Sequence, residues 1–265
     1  MSVITLTSDF GTDNYLIARL KGAILSEVSN IQLVDIKHTI SPFNIIEAAY
    51  VFKNVFMYFP EQTVHLIMVQ AQPLNSVYVY DYQQILCAKI NEQYILCLNN
   101  GILSLALSGY NYEVKLSGME KPKLYVSWLD MAKIAVQLIK KPEQTWNRYF
   151  QSEPKYIKKE WQKPVIIHGD LQGLSIHIDG YGNLVTNITQ DIFEEYVGND
   201  PFCIRVRSVV IEKIVKYRYQ EINGSYIAYF NDLGYLTLSI NYGNFADIMG
   251  IVDPVPVTVS KKLSI

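Results

Sequence analysis

The sequence has little cysteine and little charge. Only three of its 265 residues are cysteines, and Asp, Glu, Lys and Arg together make up 18%. Cys87, Cys97 and Cys203 are widely spaced, with neither a CxxC motif nor a histidine cluster beside them. This pattern argues against a disulfide framework and against a structural zinc site. It predicts buried thiols in a reducing compartment, which is the cytoplasm.

Long apolar runs and a strong charge of one sign are also missing. No apolar stretch approaches the roughly 20 residues that span a bilayer, and the first residues lack the features of a signal peptide. The formal net charge is −2, which gives no electrostatic footprint for nucleic acid or for an anionic membrane. The length of 265 residues predicts one large or two medium domains, and 49% hydrophobic residues argue against a disordered chain.

The first part of the sequence alternates apolar strands with amphipathic helices. Strands are predicted at residues 3–7, 31–36 and 64–69, and helices at 15–28 and 42–59. This order is typical of a doubly wound α/β domain with a mostly parallel sheet, in which ligands bind beyond the carboxyl ends of the strands. Asp9 and Asp13 follow the first of these strands, and Gln70 follows the third.

The remaining pattern predicts a second domain of a different class. Strands at 77–82, 84–89 and 94–98 and a helix at 129–140 complete an α/β N-terminal domain of residues 1–155, and prolines and charges mark a linker region at 141–163. Residues 164–265 are strand-rich, with one predicted helix at 191–196. They predict an all-β, barrel-like C-terminal domain. The predicted strands are 165–167, 173–178, 203–210, 226–230, 236–240 and 256–259.

A turn with two glycines follows the predicted strand 173–178. Asp179 can accept hydrogen bonds from a hydroxyl group, and the amide of Asn183 offers donors and an acceptor that suit a purine edge. An equally plain interpretation is a hairpin turn whose side chains are bonded to their own backbone. The residues of the turn alone leave both interpretations open.

Motifs along nearly the whole chain resemble those of the S-adenosylmethionine hydroxide adenosyltransferase family, whose relatives include fluorinases and chlorinases. Each motif alone is weak, but together they occur in the family's order and are specific. They lie at residues 4–13, 21–22, 34–42, 48–49, 58–60, 63–66, 99–104, 179–188, 231–236 and 241–244.

The resemblance implies an α/β N-terminal domain, a barrel-like C-terminal domain and a homotrimer. In such a trimer the adenosyl ligand lies between the N-terminal domain of one subunit and the C-terminal domain of the next. Family members attack the ribose C5′ of S-adenosylmethionine with water or a halide and release methionine. No metal or other cofactor is required, because the sulfonium is already a cationic leaving group.

The resemblance also implies roles for individual residues. Asp9 matches the carboxylate that grips the two ribose hydroxyls, which suits an ionised acceptor. Asp13 and Asp179 match the acids that hold the methionine amino group. The remaining implied substrate-binding positions are Tyr181, Asn183, Asp232, Asn241 and Tyr242, around the adenosine moiety. Asp232 stands where relatives usually have serine.

Other roles are open for some of these residues. Asp9 and Asp13 could instead cap a helix N-terminus. His38 and His65 also lie in family motifs, and they are interpreted as packed beside the sheet rather than as catalytic.

The catalytic set of the water-using members is altered at all three positions. Their Asp corresponds to Gln70, their Arg to Val77 and their His to Ser127. A neutral amide has negligible basicity, Val77 cannot form an ion pair, and Ser127 cannot take a proton near neutral pH without a base beside it.

The sequence therefore predicts a divergent family member that binds S-adenosylmethionine or adenosine, with doubtful activity. One alternative is a working hydrolase that gives adenosine and L-methionine. The other is a trimeric scaffold without ligand.

Overall fold

A computed structural model describes residues 2–70, 84–117, 128–152, 155–216, 221–252 and 254–262. These residues form two units, one ending at Glu160 and the other beginning at Trp161. The boundary falls inside the predicted linker region 141–163. The first part of that region is nevertheless ordered structure of the N-terminal unit. It forms α5 (Pro142–Tyr149) and then β7 (Phe150–Ser152), which pairs with β6 (Glu113–Ser117).

The described strands of the N-terminal unit form one mixed sheet in the order β2-β1-β3-β5-β4-β6-β7. Parallel pairing joins only β2, β1, β3 and β5, and the pairs from β5 to β7 are antiparallel. The expectation of a mostly parallel sheet is therefore corrected to a mixed one. The strands not yet delimited are β1 (Ser2–Ser8), β2 (Ile31–Lys37), β3 (Val64–Met68), β4 (Ile85–Ile90) and β5 (Gln93–Leu98).

The described helices of the N-terminal unit pack against one another and against the sheet. Helices α1 (Tyr15–Leu25) and α4 (Trp128–Lys140) share a core with the apolar side chains of β1 and β3. Helix α2 (Ile45–Lys53) contacts α3 (Ile102–Ala106). The predicted helix 42–59 is thus shorter than expected at both ends. Phe43 has a left-handed backbone that a helix cannot include, and Asn44 caps α2 by accepting the N–H of Glu47 at 3.0 Å.

The C-terminal unit is an antiparallel, nearly closed, barrel-like sheet, as predicted. Its order is β12-β11-β15-β9-β10-β14-β13, with β8 paired beside β9. A bridge between Ile214 and Ala228 brings the chain after β12 to β13 and nearly closes the sheet. The strands are β8 (Val165–Ile167), β9 (Asp170–Ile178), β10 (Leu184–Thr189), β11 (Phe202–Val206), β12 (Val209–Ile211), β13 (Tyr226–Phe230), β14 (Tyr235–Ile240) and β15 (Pro256–Lys261).

In the described part of this unit, two helices accompany the sheet, α6 (Gln190–Val197) and α7 (Phe245–Met249). Their buried side chains Phe193 and Phe245 join the core formed by the inward faces of the strands. The predicted strand 203–210 is divided into β11 and β12 by a tight turn at Arg207, whose φ is +50°. The predicted strand 77–82 lies outside the described residues. No helix in the described part of the chain is both long and apolar enough to cross a membrane.

Candidate functional site

The carboxylate of Asp9 lies just beyond the carboxyl end of β1. Its Oδ2 atom accepts a hydrogen bond from the backbone N–H of Phe43 at 3.0 Å. Burial raises the pKa of Asp9 above its ordinary value, although the backbone N–H groups of Phe43 and Gln70 oppose this by stabilising the charged form. Asp9 is therefore a partly desolvated acceptor held by backbone donors, which suits strong hydrogen bonds from ligand hydroxyl groups.

Phe43 and Gln70 reach Asp9 from the segments that follow β2 and β3. Ser8 pairs with Met68 across the parallel strands, so the chain leaves both strands side by side. Phe43 has a φ of +65°, which is rare for a bulky residue, and its side chain is 44% exposed. Strained backbone of this kind concentrates at functional sites. Here it directs the Phe43 N–H toward Asp9.

Asn14, rather than Asp9 or Asp13, caps α1. The Oδ1 atom of Asn14 accepts the backbone N–H of Leu16 at 2.9 Å. Asp13 directly precedes the cap and is exposed. The capping interpretation of the two aspartates is therefore wrong for this helix. The contact of Asp13 with a methionine amino group stays a prediction.

His38 is buried and has a polar neighbour at each ring nitrogen, as expected for a histidine packed beside the sheet. Its Nδ1 atom lies 2.7 Å from Ser8 Oγ, and its Nε2 atom lies 3.2 Å from Asp35 Oδ1. The second contact is a close approach rather than a well-aligned hydrogen bond. Burial raises the pKa of Asp35, but the interactions with Lys21 and His38 outweigh burial and leave that pKa below its ordinary value.

His65 is fully buried between aromatic rings, which confirms its packed interpretation. Its Nδ1 atom lies 2.7 Å from Thr5 Oγ1, and its Nε2 atom lies 3.3 Å from Gln93 Oε1. Burial lowers the pKa of His65 to about 4, although the bond to Gln93 opposes this. The imidazole is therefore neutral near pH 7. The rings that meet it edge-on are Phe52, Phe56 and Phe59.

In the C-terminal unit, Asp179 organises the turn between β9 and β10. Its Oδ1 atom accepts the backbone N–H groups of Tyr181 at 2.8 Å and Asn183 at 3.0 Å. Its Oδ2 atom accepts a hydrogen bond from Asn183 Nδ2 at 2.8 Å. The side chains of this turn are thus bonded to their own segment, as the plain interpretation expects. A ligand that contacts Asp179 would bind to the same two oxygen atoms that accept these hydrogen bonds.

The amide of Asn183 connects this turn to the neighbouring strand. Asn183 is only 1% exposed, and its Oδ1 atom accepts a hydrogen bond from Ser239 Oγ on β14. The bonds to Asp179 and Ser239 fix the orientation of the amide, since one end donates and the other accepts. These bonds use one donor and one acceptor of the amide, and Asn183 contributes to the wall of the pocket described below.

Gly182 lets the turn lie directly against the start of α7. Its φ is +77°, and a Cβ atom at this position would overlap with the Asn244 side chain. Asn244 uses its Oδ1 atom to cap α7, accepting the N–H of Asp247 at 2.9 Å. The carbonyl of Gly182 accepts the N–H of Ala246 at 3.0 Å. Only glycine adopts this positive φ readily and also leaves room for the Asn244 side chain.

Between the turn and the segment after β14 lies a pocket of about 550 Å³. The backbone of Asn241 forms hydrogen bonds with the neighbouring chain, and its side-chain Nδ2 atom donates a hydrogen bond to the Glu221 carbonyl at 2.6 Å. Tyr181 and Tyr242 are 74% and 83% exposed. Amide groups beside aromatic rings suit a flat heteroaromatic ligand with a polar edge. The lining residues are Tyr181, Asn183, Ile240, Asn241, Tyr242, Gly243 and Asn244.

Asp232 is not part of this pocket. It lies exposed in the turn between β13 and β14, where Asn231 Oδ1 accepts the N–H groups of Leu233 and Tyr235. The pocket is at the opposite end of β14, roughly 17 Å away at about 3.4 Å per residue. Within one C-terminal unit, Asp232 and the pocket thus lie at opposite ends of β14, and a contact of Asp232 with a ligand stays a prediction.

Of the three altered catalytic positions, the structure describes one. Gln70 is half-buried, and its backbone N–H stabilises the charged form of Asp9. Val77 and Ser127 lie outside the described residues. Among the described residues, no group of three or more His, Cys, Asp or Glu side chains is placed to hold a metal ion.

Sequence patterns do not indicate that Phe43 contacts Asp9. They also do not indicate that Ser239 and Asn244 help to form the pocket of the C-terminal unit. Asn244 belongs to the motif 241–244, and asparagine before an apolar run is a cap signal that could have indicated it. The bond from Ser239 to Asn183 crosses between strands, and no local pattern indicates it. The left-handed backbone of Phe43 has no sequence signal either, because a bulky residue is rarely found there.

Two family descriptions match the sequence. Residues 4–137 match the SAM hydroxide adenosyltransferase N-terminal domain, and residues 174–257 match the corresponding C-terminal domain. The (R)-S-adenosyl-L-methionine hydrolase of Methanocaldococcus jannaschii is 27% identical over 268 residues, covering 95% of this chain and 93% of that protein. A fluorinase of Actinoplanes sp. is 34% identical over 62 residues, which are 23% of this chain and 21% of that protein.

Solved structures share the fold. An uncharacterized conserved protein from Thermotoga maritima aligns with a TM-score of 0.78 at 21% identity, covering 98% of this chain and all of that one. A conserved hypothetical protein from Thermus thermophilus aligns with a TM-score of 0.66 at 19% identity, with the same coverage. At these identities the likeness concerns the fold alone.

Proposed function

The chain belongs to the SAM hydroxide adenosyltransferase family, and from that premise we propose that it binds S-adenosylmethionine or adenosine and hydrolyses S-adenosylmethionine slowly or not at all. The observation that carries the proposal is the pocket of the C-terminal unit. Its fixed amides, Asn183 and Asn241, and its exposed ring, Tyr242, supply what an adenine base needs. The base stacks on an aromatic face and forms hydrogen bonds along its edge.

Asp9 supports the ribose part of the proposal. A ribose presents two neighbouring hydroxyl groups, and an ionised carboxylate can accept a hydrogen bond from each. The Phe43 N–H occupies one position on Oδ2, and a carboxylate has about four acceptor positions in all. The fixed orientation lowers the entropy that binding must overcome.

Gln70 supports the second half of the proposal, slow or absent hydrolysis. Attack of water at C5′ is faster when a base polarises the water, and general acid–base groups contribute typically about 10²–10⁴-fold. Gln70 can orient a water molecule, but its amide does not accept a proton near neutral pH. The neighbouring Asp9 does not replace the base, because its carboxylate is engaged by the ribose in this proposal.

An active hydrolase is the second candidate, and a specific observation favours it. The Methanocaldococcus jannaschii protein, named as a hydrolase of S-adenosyl-L-methionine, is similar along 95% of this chain. The sulfonium is a reactive leaving group, so holding a water molecule in line with C5′ could supply much of the rate. A scaffold with an empty pocket is the third candidate.

Binding is tested by calorimetric titration with adenosine and with S-adenosylmethionine. Asp9→Ala should weaken adenosine binding by about 1.5–3 kcal/mol, the usual range for bonds to a charged group. Asp191→Ala is the matched control, because Asp191 is an exposed acid in the first turn of α6 and should leave affinity unchanged. If adenosine at millimolar concentration does not bind the wild-type protein, the scaffold is the candidate that remains.

Activity is tested by following the release of methionine and adenosine. Wild-type protein should be far slower than a family member that keeps Asp, Arg and His at the three catalytic positions. The triple variant Gln70→Asp, Val77→Arg and Ser127→His should gain activity, and the three changes belong together because catalytic groups act as a unit. Wild-type turnover equal to that of an intact hydrolase would instead establish the second candidate.

A further inference from the structure

His38 holds the turn that carries Asp9 with two separate contacts. Its ring Nδ1 atom lies 2.7 Å from Ser8 Oγ, and its backbone carbonyl accepts the N–H of Gly11 at 2.8 Å. Ser8 directly precedes Asp9, and Gly11 follows two residues later. The contacts of His38 therefore lie on both sides of Asp9.

The segment that begins at His38 also supplies a donor to the carboxylate. Phe43, five residues after His38, donates its N–H to Asp9 Oδ2 at 3.0 Å. This segment is itself rigid, because Ser41 donates its N–H to Glu47 Oε2 at 2.9 Å and accepts the N–H of Asn44 at 3.0 Å. A displacement of His38 would shift the turn and the Phe43 donor together.

The hydrogen-bond pattern favours one tautomer of the imidazole. An ionised Asp35 only accepts hydrogen bonds, so the hydrogen of a neutral His38 ring is favoured on Nε2, which faces Asp35. The Ser8 hydroxyl accepts the backbone N–H of Phe10 at 3.4 Å and can donate its own hydrogen to Nδ1 of His38. Nδ1 is then the acceptor, and the neutral ring carries its hydrogen on Nε2. Nε2 faces Asp35 Oδ1 at 3.2 Å, and the other oxygen of Asp35 accepts a hydrogen bond from Lys21 Nζ at 2.5 Å. Asp35 thus favours the tautomer that lets Ser8 donate.

We propose that His38 is a positioning residue for Asp9: through Ser8 it fixes the turn after β1, so that the Asp9 carboxylate meets the ribose hydroxyls in one orientation. This inference rests on the proposed binding of an adenosyl ligand. His38 itself does not touch the ligand. Its effect is on affinity, because a mobile Asp9 must be ordered when the ligand binds.

The chain offers a matched control on the same strand. Thr5 Oγ1 lies 2.7 Å from His65 Nδ1, which is a buried hydroxyl–imidazole pair of the same length as the Ser8–His38 pair. Thr5 and Ser8 are both fully buried in β1, but the Thr5 pair is three residues before the start of the Asp9 turn. A role in stability alone would make the two pairs equivalent for ligand binding.

The first experiment compares Ser8→Ala with Thr5→Val by thermal unfolding and by calorimetric titration with adenosine. Both variants should lower the melting temperature. Ser8→Ala should also weaken adenosine binding about tenfold, the effect of one lost hydrogen bond, whereas Thr5→Val should leave affinity within about twofold of wild type. Equal affinities of the two variants would overturn the inference.

The second experiment separates the two ring nitrogens of His38. An asparagine amide reaches about as far as Nδ1 and can accept from Ser8, whereas a glutamine amide reaches toward Nε2 and Asp35. His38→Asn should keep adenosine affinity within about threefold, and His38→Gln should lose about tenfold. The reverse order would contradict the inference. Wild-type protein that fails to bind adenosine refutes the proposed function itself, whereas wild-type binding with an unaffected Ser8→Ala variant refutes only the role of His38.

Discussion

Asp9 combines a cost to stability with a role in binding. For a carboxyl group whose pKa is raised on folding, protonation favours the folded state. The stabilisation is complete below the unfolded pKa of about 3.8 and is lost as the pH rises through the folded pKa. At neutral pH the charged Asp9 is therefore less favourable in the folded protein than in the unfolded chain. Such a residue is expected where function, rather than folding, requires the charge.

This balance predicts opposite effects of Asp9→Asn on stability and on binding. Asparagine keeps an oxygen for the Phe43 N–H but has no charge to desolvate. The free energy of unfolding at pH 7 should rise, and this gain should shrink as the pH is lowered through the raised pKa of Asp9. Adenosine affinity should fall at least tenfold. Asp13→Asn, at an exposed neighbouring position, should leave stability unchanged. A destabilised Asp9→Asn variant at pH 7 would show that Asp9 serves the fold.

Gly182 gives a second prediction at the scale of one residue. Gly182→Ala should lower the free energy of unfolding by roughly 1–3 kcal/mol, because the new Cβ meets Asn244 and the left-handed backbone is strained. Adenosine binding should weaken as well, since Tyr181 and Asn183 of the turn and Asn244, the cap of α7, line the pocket. Gly180→Ala is the matched control, because a Cβ there has open space and no positive φ. Urea unfolding that finds the two variants equally stable would contradict this account.

At the scale of elements, β1 and β3 are linked through a neutral, buried histidine. For a histidine whose pKa is lowered on folding, stability is complete above the unfolded pKa of 6.5. It is lost as the pH falls toward the folded pKa of about 4. Each pKa unit corresponds to 1.36 kcal/mol, so roughly 3 kcal/mol is lost over this range from His65 alone.

The prediction is a fall in the free energy of unfolding between pH 6.5 and pH 4 that depends on His65. His65→Phe should remove that part of the pH dependence, since phenylalanine does not titrate, even though it lowers stability by leaving Thr5 and Gln93 with fewer partners. His168→Asn is the control, because His168 is exposed and its φ of +53° is one that asparagine tolerates. An unaltered pH dependence in His65→Phe would contradict the prediction.

The elements that sequence patterns predicted best are the long periodic ones. Strands near 3–7, 31–36 and 64–69 and the helix 129–140 are present within a few residues, because alternation and helical periodicity reflect burial directly. Helices α3 and α7 were missed, since five residues are too few to establish a period. The sequence of α5 predicts a linker instead of a helix, because most of its residues are polar and exposed.

The arrangement of strands was predicted less well than their positions. Three parallel strands separated by helices implied a mostly parallel sheet, but β4 to β7 pair antiparallel. Pairing is decided by tertiary contacts that no local pattern records. The candidate site was found through resemblance rather than through periodicity. Asp9 and Asn183 follow strands as expected, whereas the Ser239 hydroxyl bonded to Asn183 could be identified only from the structure.

At the scale of the whole molecule, exposed apolar side chains surround the pocket of the C-terminal unit. Tyr181 and Tyr242 are mostly exposed, and Ile248 on α7 is 61% exposed and lies close to Gly243 of the pocket lining. Aromatic residues are enriched at protein interfaces because they bury much area at a low entropic cost. Such a rim suits contact with another subunit.

The corresponding prediction is a homotrimer in which assembly and ligand binding depend on the same surface. Light scattering should give a mass of roughly 91 kDa, three times the 30.4 kDa of one chain. The double change Tyr242→Ser and Ile248→Ser should lower both the mass and adenosine affinity, because it removes apolar area from the rim of the pocket. Ile166→Ser is the matched control, since Ile166 is 65% exposed on β8 of the same unit, and it should leave both unchanged. A mass near 30 kDa for wild type across a wide concentration range would exclude the trimer. A double variant that loses adenosine affinity but keeps the full mass would show that the rim serves the ligand without serving assembly.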